Sequence, residues 1–203
     1  MSAPITHVVL ASKVFDKYFP GLNRKEFMVG TIVPDIRYIG AIDRDKTHFE
    51  NVTLKEVQKL DSFNAGLKFH SLVDKVRKAY VKSREYYSLF PKSDFVTQAS
   101  KIFEDQIFYN KVKNWTEIAD YFKVVYKEEL DLGLSEEAIE KWHKMNRYYF
   151  SHAPEDADIA KFTKGLGFSS ERAKEISKVI QDSQRKKVES IELDFYDKFE
   201  TFL

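Results

Sequence analysis

Apolar residues recur at intervals of three and four through most of this chain, and that spacing commits it to helices. Residues 5–19 place Val8, Leu10, Ala11, Val14, Phe15 and Tyr18 on one helical stripe, which Pro20-Gly21 ends. Residues 24–32 predict a short apolar helix closed by Val33-Pro34. Thr53-Leu54-Lys55-Glu56 has the capping-box pattern and opens another. Ser62 starts a long helix reaching to about Phe90, where Pro91-Lys92-Ser93 breaks it. A further helix follows to about Asn114, Thr116 and Ser135 suit the N-caps of the next two, and Pro154 fits the first turn of another. Past Gly165 and Gly167, a last helix is predicted from Ser169 or Ser170 to the C-terminus. Residues 35–50 show no periodicity and read as a connecting or functional loop. No strand-like alternation persists, and only seven glycines and five prolines punctuate 203 residues. The expectation is an all-α fold, a single domain of about eight helices over residues 1–203, without repeats or low-complexity tracts.

Composition narrows the chemistry. The chain has no cysteine, which removes disulfide frameworks, thiol nucleophiles and thiolate metal sites together. Any metal must be held by His, Asp or Glu. Lys and Arg number 33 against 32 Asp and Glu, so bulk charge gives no expectation of nucleic-acid binding. The N-terminal stretch lacks a basic start, and Lys13 and Asp16 interrupt its apolar run, so it does not read as a signal peptide. No stretch approaches the ~20 apolar residues of a membrane span. The expected compartment is the cytoplasm.

Polar residues in apolar positions mark where chemistry can sit. On the long helix from Ser62, the arc through Phe63, Gly66, Leu67, Val73 and Val81 also takes in His70, Asp74 and Arg77. At about 100° per residue, His70 and Asp74 lie about 40° apart. Turned inwards, such a pair needs a partner. A divalent cation bound from successive turns is one answer, and a His–Asp hydrogen bond inside the core is the other. His7 falls on the Leu10/Ala11/Val14 face of the first helix, Asp35 follows Pro34, and His48 sits in the polar run DRDKTHFE. Singly these read as a core-edge histidine, a turn aspartate and a surface histidine. Together they make an ordered His, Asp, His, His-x-x-x-Asp series holding three of the chain's five histidines. In the helix after Pro91, with its stripe through Phe95, Ala99, Ile102, Gln106 and Tyr109, Asp105 is expected inward as a sixth candidate metal ligand, and Glu104 is expected solvated. His143 and His152 read as a packed or surface residue and a turn residue.

These segments carry a resemblance. PITHVVLASKVF, FMVGTIVPDI, THFE and AGLKFHSLVD resemble, in that order, the zinc-dependent phospholipase C superfamily, all-helical enzymes that include single-strand-specific nucleases. The resemblance covers roughly the first 80 residues. It implies that His7, Asp35, His48, His70 and Asp74 are metal ligands. No histidine lies between His70 and His143, so it implies one or two cations rather than the superfamily's three. The chain is also similar to the acyl-carrier-protein phosphodiesterases, manganese enzymes related to the HD hydrolases. Ala65, Gly66, His70 and Asp74 match their A-G-x-x-x-H-x-x-x-D segment, Asp105 echoes a later helical Asp, and LDFYDKFETFL looks like their aromatic final helix.

Both resemblances imply metal-dependent phosphoester hydrolysis. The expectation is one or two divalent ions, Zn first and Mn, Fe or Ni compatible, about 3.5–4 Å apart if paired, acting on a phosphoester-containing substrate through metal-activated water. Asp35 or Asp74 could bridge two ions. Arg77, one turn beyond Asp74, is the expected phosphate contact, with Arg37 and Lys46 as weaker candidates. The competing expectation is a non-catalytic helical module with an architectural metal, and the third is a metal-free domain with buried His–Asp hydrogen bonds.

Overall fold

The computed structural model describes residues 3–203, and within them it is built from helices alone. The eleven α-helices are α1 (Pro4–Tyr18), α2 (Arg24–Ile32), α3 (Leu54–Val57), α4 (Ser62–Lys82), α5 (Val96–Phe108), α6 (Trp115–Tyr121), α7 (Lys127–Asp131), α8 (Glu136–Phe150), α9 (Asp156–Gly165), α10 (Ser170–Gln181) and α11 (Arg185–Lys198). Short 3-10 turns join several of them. No helix among the described residues is long and apolar enough to cross a membrane.

Local chemistry fixes most helix starts. The Asn23 side chain accepts from the Lys25 and Glu26 amides, Asp61 accepts from Asn64, and Ser135 and Ser169 cap α8 and α10. The Thr53–Glu56 capping box forms as expected and opens α3. Other boundaries differ from expectation. The long helix stops at Lys82 rather than Phe90, because Glu85 turns the backbone left-handed (φ 50°) before a 3-10 turn at Tyr86–Leu89. Asn114, not Thr116, caps α6. Pro154 precedes α9 without entering its first turn, and the expected C-terminal helix is two, α10 and α11, broken between Gln181 and Arg185. The loop of residues 35–50 is partly ordered as 3-10 turns at Val33–Ile39 and Arg44–Lys46.

The helix pair α2 and α4 is the frame of the molecule. A Cβ on Gly30 would lie 2.2 Å from the Phe63 carbonyl oxygen, and one on Gly66 would lie 2.1 Å from that of Phe27. Only glycine allows the two backbones to come this close. Aromatic rings then close the hydrophobic core around the pair. Phe27 packs on Phe15, Phe19 and Phe69, and Phe199 from the C-terminal turn reaches Phe69. The same close approach brings the end of α2, and Asp35 just beyond it, beside the middle of α4.

Candidate metal centre

His7 is set by its helix start. Ala3 offers no capping side chain to α1, so the first amides need acceptors from elsewhere. Asp105 of α5 supplies them, accepting from the Ile5 amide (3.3 Å), the Thr6 amide (2.7 Å) and the Thr6 hydroxyl (2.8 Å). His7 is the next residue. His70 is set by the α2–α4 approach: its Nδ1–H donates to the Thr31 carbonyl at 2.9 Å, which leaves Nε2 as the lone-pair nitrogen. His48 Nδ1 meets Thr47 Oγ1 at 3.1 Å, and the Phe49 amide donates to Ser71 Oγ, pinning the loop to α4. Asp35 comes from the 3-10 turn after α2, and Asp74 lies one turn beyond His70.

The five side chains converge. Asp74 Oδ1 lies 3.5 Å from His7 Nε2, and its Oδ2 lies 3.7 Å from His70 Nε2 and 4.0 Å from His48 Nε2. Asp35 Oδ1 is 4.0 Å from His70 Nε2. The His7 and His70 rings stack at 3.9 Å, and His48 meets His70 edge-on at 5.0 Å. These separations are too long for good hydrogen bonds. They match donors spread around one ion, since two ligands at about 2.1 Å from a tetrahedral metal stand about 3.4 Å apart. His7 (both ring nitrogens), His48 Nε2, His70 Nε2 and Asp35 Oδ1 are buried without a hydrogen-bond partner. Buried polar groups are almost always satisfied, so a cluster of orphans on one point fits a cation. Two groups of three could each hold an ion, His7/His70/Asp74 and Asp35/His48/His70. His70 Nε2, common to both groups, could serve only one ion at a time. Asp74, whose two oxygens face different imidazoles, is the residue able to join two.

Electrostatics suit the same chemistry. Burial, reinforced by His70, pushes His7 and His48 down to about 3, so both imidazoles are neutral at pH 7 with lone pairs available. Burial pushes Asp74 upwards, yet His70 and His7 hold it well below the usual carboxylate range, and it is ionised.

His48 and Asp74 form part of the floor of an open cleft of about 630 Å³, with Arg44, Lys75, Lys78 and Lys82 around it. On the Asp35 side a smaller, mainly apolar pocket of about 60 Å³ includes Tyr38, Lys101, Trp142 and Phe162. Helical phase held the signal for these cations: Lys75, Lys78 and Lys82 follow Asp74 along one side of α4, and Lys101 precedes Asp105 by one turn of α5.

Three sequence expectations change, those for Glu104, for Arg77 as a phosphate contact and for Asp105 as a metal ligand. Glu104 is fully buried, not solvated, because α5 is enclosed on all sides over Ala99–Asp105. It accepts from Arg77 Nε at 2.5 Å, and Glu192 of α11 lies 3.5 Å from the same guanidinium. Arg77 is 1 % exposed, and its fork points to α5 and α11 rather than into the cleft. Three residues along a helix leave a residue about 60° off its starting direction, enough to carry Arg77 from Asp74's cleft into that interface. Asp105 is inward as expected, but its oxygens serve the α1 amides and it belongs to neither group of three. Arg37 lies 3.8 Å from Asp35 with its guanidinium over Tyr38, while Lys46 is exposed. His143 is buried against Glu129 at 2.8 Å, and His152 meets Asp158 at 2.6 Å away from the cluster.

No protein-family model matches the chain, and no curated protein or solved structure matches it significantly.

Asp105 gives a pH signature. Burial lifts its pKa from 3.8 to about 7 against the pull of the Thr6 and Ile5 donors. Between those values the folded chain keeps a proton that the unfolded chain has released, so this group's contribution to stability declines as pH rises from about 4 to about 7. Asp105→Asn cannot ionise. The variant's stability relative to the parent should therefore rise across that window in urea titrations, with metal stoichiometry unchanged. A difference that is flat with pH, or loss of metal, contradicts this placement.

Proposed function

We propose that this chain is a metal-dependent phosphoric-ester hydrolase. The observation that carries the reading is the convergence of orphaned donors from His7, His48, His70 and Asp35 with Asp74, where His48 and Asp74 open onto a cleft edged by four cationic side chains. His7, His48, His70, Asp35 and Asp74 would hold one or two divalent ions. Zn suits this nitrogen-rich set best, and Mn, Fe and Ni are compatible with it. A bound cation supplies a Lewis acid for phosphoryl oxygens and acidifies water to a nucleophile near neutral pH.

The chain's own groups do the rest. Arg44, Lys75, Lys78 and Lys82 draw an anionic ester into the cleft by their summed field. Thr31 and Thr47 hold His70 and His48 with Nε2 towards the centre. The apolar packing of α1, α2 and α4 around the cluster keeps bulk water from its inner side, which strengthens each charge interaction there.

The test is element-specific analysis of protein purified without chelator, followed by assay against bis(p-nitrophenyl) phosphate and a panel of phosphodiesters and phosphomonoesters. The expected result is at least one divalent transition metal per chain, with turnover that EDTA abolishes and Zn²⁺ or Mn²⁺ restores. Tightly held metal with no turnover on any ester would make the centre architectural. A chain that neither contains nor takes up a divalent ion would end the reading altogether.

A further inference from the structure

The cleft beside the candidate centre holds more positive charge than a single phosphoryl group calls for. The chain is nearly balanced, with 33 basic and 32 acidic residues, yet Arg44, Lys75, Lys78 and Lys82 line this one cleft. Apart from Asp74, its only acidic side chain is Glu50. All four cations are exposed. Lys75 Nζ donates to the Val52 carbonyl at 3.2 Å, and among the described residues no ion pair or side-chain hydrogen bond engages the side chains of Arg44, Lys78 or Lys82. Lys78 and Lys82 stand four residues apart on α4, the spacing at which like charges repel and weaken a helix. A face that meets only water gains nothing from that repulsion.

Both walls of the cleft are tied to the centre. The Arg44 carbonyl accepts from the His48 amide at 2.9 Å, and the Phe49 amide is pinned to Ser71 of α4. The lysines continue α4 beyond Asp74. At 1.5 Å per residue, Lys78 and Lys82 lie about 6 and about 12 Å further along its axis. Helical side chains lean towards the N-terminus, so Lys78 covers the turn of Asp74 and Lys82 the turn after it. A phosphodiester bound at the centre carries one negative charge, which a divalent ion would itself meet. Lys82, and Arg44 on the facing wall, are then left for an anion further along the cleft.

We propose that the Arg44/Lys78/Lys82 cleft is a subsite for a second phosphoryl group, about 6–12 Å along α4 from the one held at the centre. The inference rests on the hydrolase reading, and it narrows the substrate class to phosphoesters that carry at least one further phosphate.

Calorimetric titration of the metal-loaded chain with hexylphosphonate and hexamethylene diphosphonate tests it, since these ligands share one head group and differ in the second. Lys78→Gln combined with Lys82→Gln is titrated beside the parent. So is Lys186→Gln combined with Lys187→Gln, which removes the same charge from the exposed start of α11, outside the cleft. The parent should bind the diphosphonate at least tenfold more tightly than hexylphosphonate, and the advantage should shrink as sodium chloride is added. The α4 variant should bind the two ligands within twofold of each other, with metal content kept and a melting temperature no lower than the parent's. The α11 variant should keep the tenfold advantage. Equal affinity for the two ligands in the parent overturns the proposal. So does an advantage that survives in the α4 variant, or one lost equally in the α11 variant, which would make it an effect of net charge. Thymidine bisphosphate against thymidine monophosphate repeats the comparison with a nucleoside between the phosphates. A larger gain there assigns the second phosphate to a nucleotide, and an equal gain assigns it to any linker of that reach. The phosphonates are not esters, so binding and turnover fail separately. An advantage that depends on Lys78 and Lys82 in a chain that hydrolyses no ester leaves the subsite standing and removes the hydrolase. Turnover in a parent without the advantage does the reverse.

Discussion

Asp74→Asn is expected to lower phosphoester turnover by more than ~100-fold and to strip the centre of at least part of its metal. Losing a residue that only orients a metal ligand already costs about 10–100-fold, and a ligand carboxylate should exceed that. The substitution is nearly isosteric, so it isolates charge from shape. Asp74 is ionised in the folded chain, held there by His70 and His7, and Asn removes that charge. It also removes the one side chain whose two oxygens reach His7 on one side and His70 and His48 on the other. The measurement is metal content, melting temperature and turnover on one preparation. Even metal-free, the variant should melt below the parent, because a carboxylate whose pKa folding lowers contributes stability at pH 7 that Asn cannot supply. Full metal with full turnover in Asp74→Asn would exclude Asp74 as a ligand.

The convergence of His7, Asp35, His48, His70 and Asp74 was legible because most of these residues carry a local warrant. His70 and Asp74 share a helix face, Asp35 follows a proline that ends α2, and His7 lies on an apolar stripe. The helices themselves were legible for the same reason, since α1 and α2 depend only on spacing and on the breakers after them. The failures are of two physical kinds. Helix ends such as Lys82 depend on a left-handed residue, Glu85, that spacing does not reveal. Charge placement on α5 depends on how many sides of the helix are covered. A two-sided stripe through Phe95, Ala99 and Ile102 puts Glu104 in water. The enclosed helix buries Lys101, Glu104 and Asp105 together, with Glu104 against Arg77 and Asp105 against the start of α1. The partner of Arg77 was hidden further, because Glu192 comes from the opposite end of the chain and no local pattern links them.

That hidden partnership sets the second large effect. Arg77→Met should destabilise the fold by about 3–5 kcal/mol, the usual loss when one member of a buried ion pair is removed. For a chain of this length the melting temperature should fall by about 6–20 °C. Arg77, Glu104 and Glu192 are all sealed from solvent, and one guanidinium faces two carboxyl groups. Burial pushes both glutamates above their ordinary range even with Arg77 present. Without it, no positive charge remains to hold either carboxylate, and both must take up protons or unfold the α4–α5–α11 interface. The compensated variant separates this account from a phosphate-binding role. Replacing the three residues together, as Arg77→Met with Glu104→Leu and Glu192→Leu, removes all the buried charges and should recover most of the lost stability. The five converging residues of the candidate centre are untouched in both variants, so metal content measured below the melting transition should match the parent's. Turnover, where present, should follow the folded fraction. The opposite pattern, an unchanged melting temperature with turnover lost, would place the Arg77 guanidinium on substrate phosphate and make its two glutamate partners incidental.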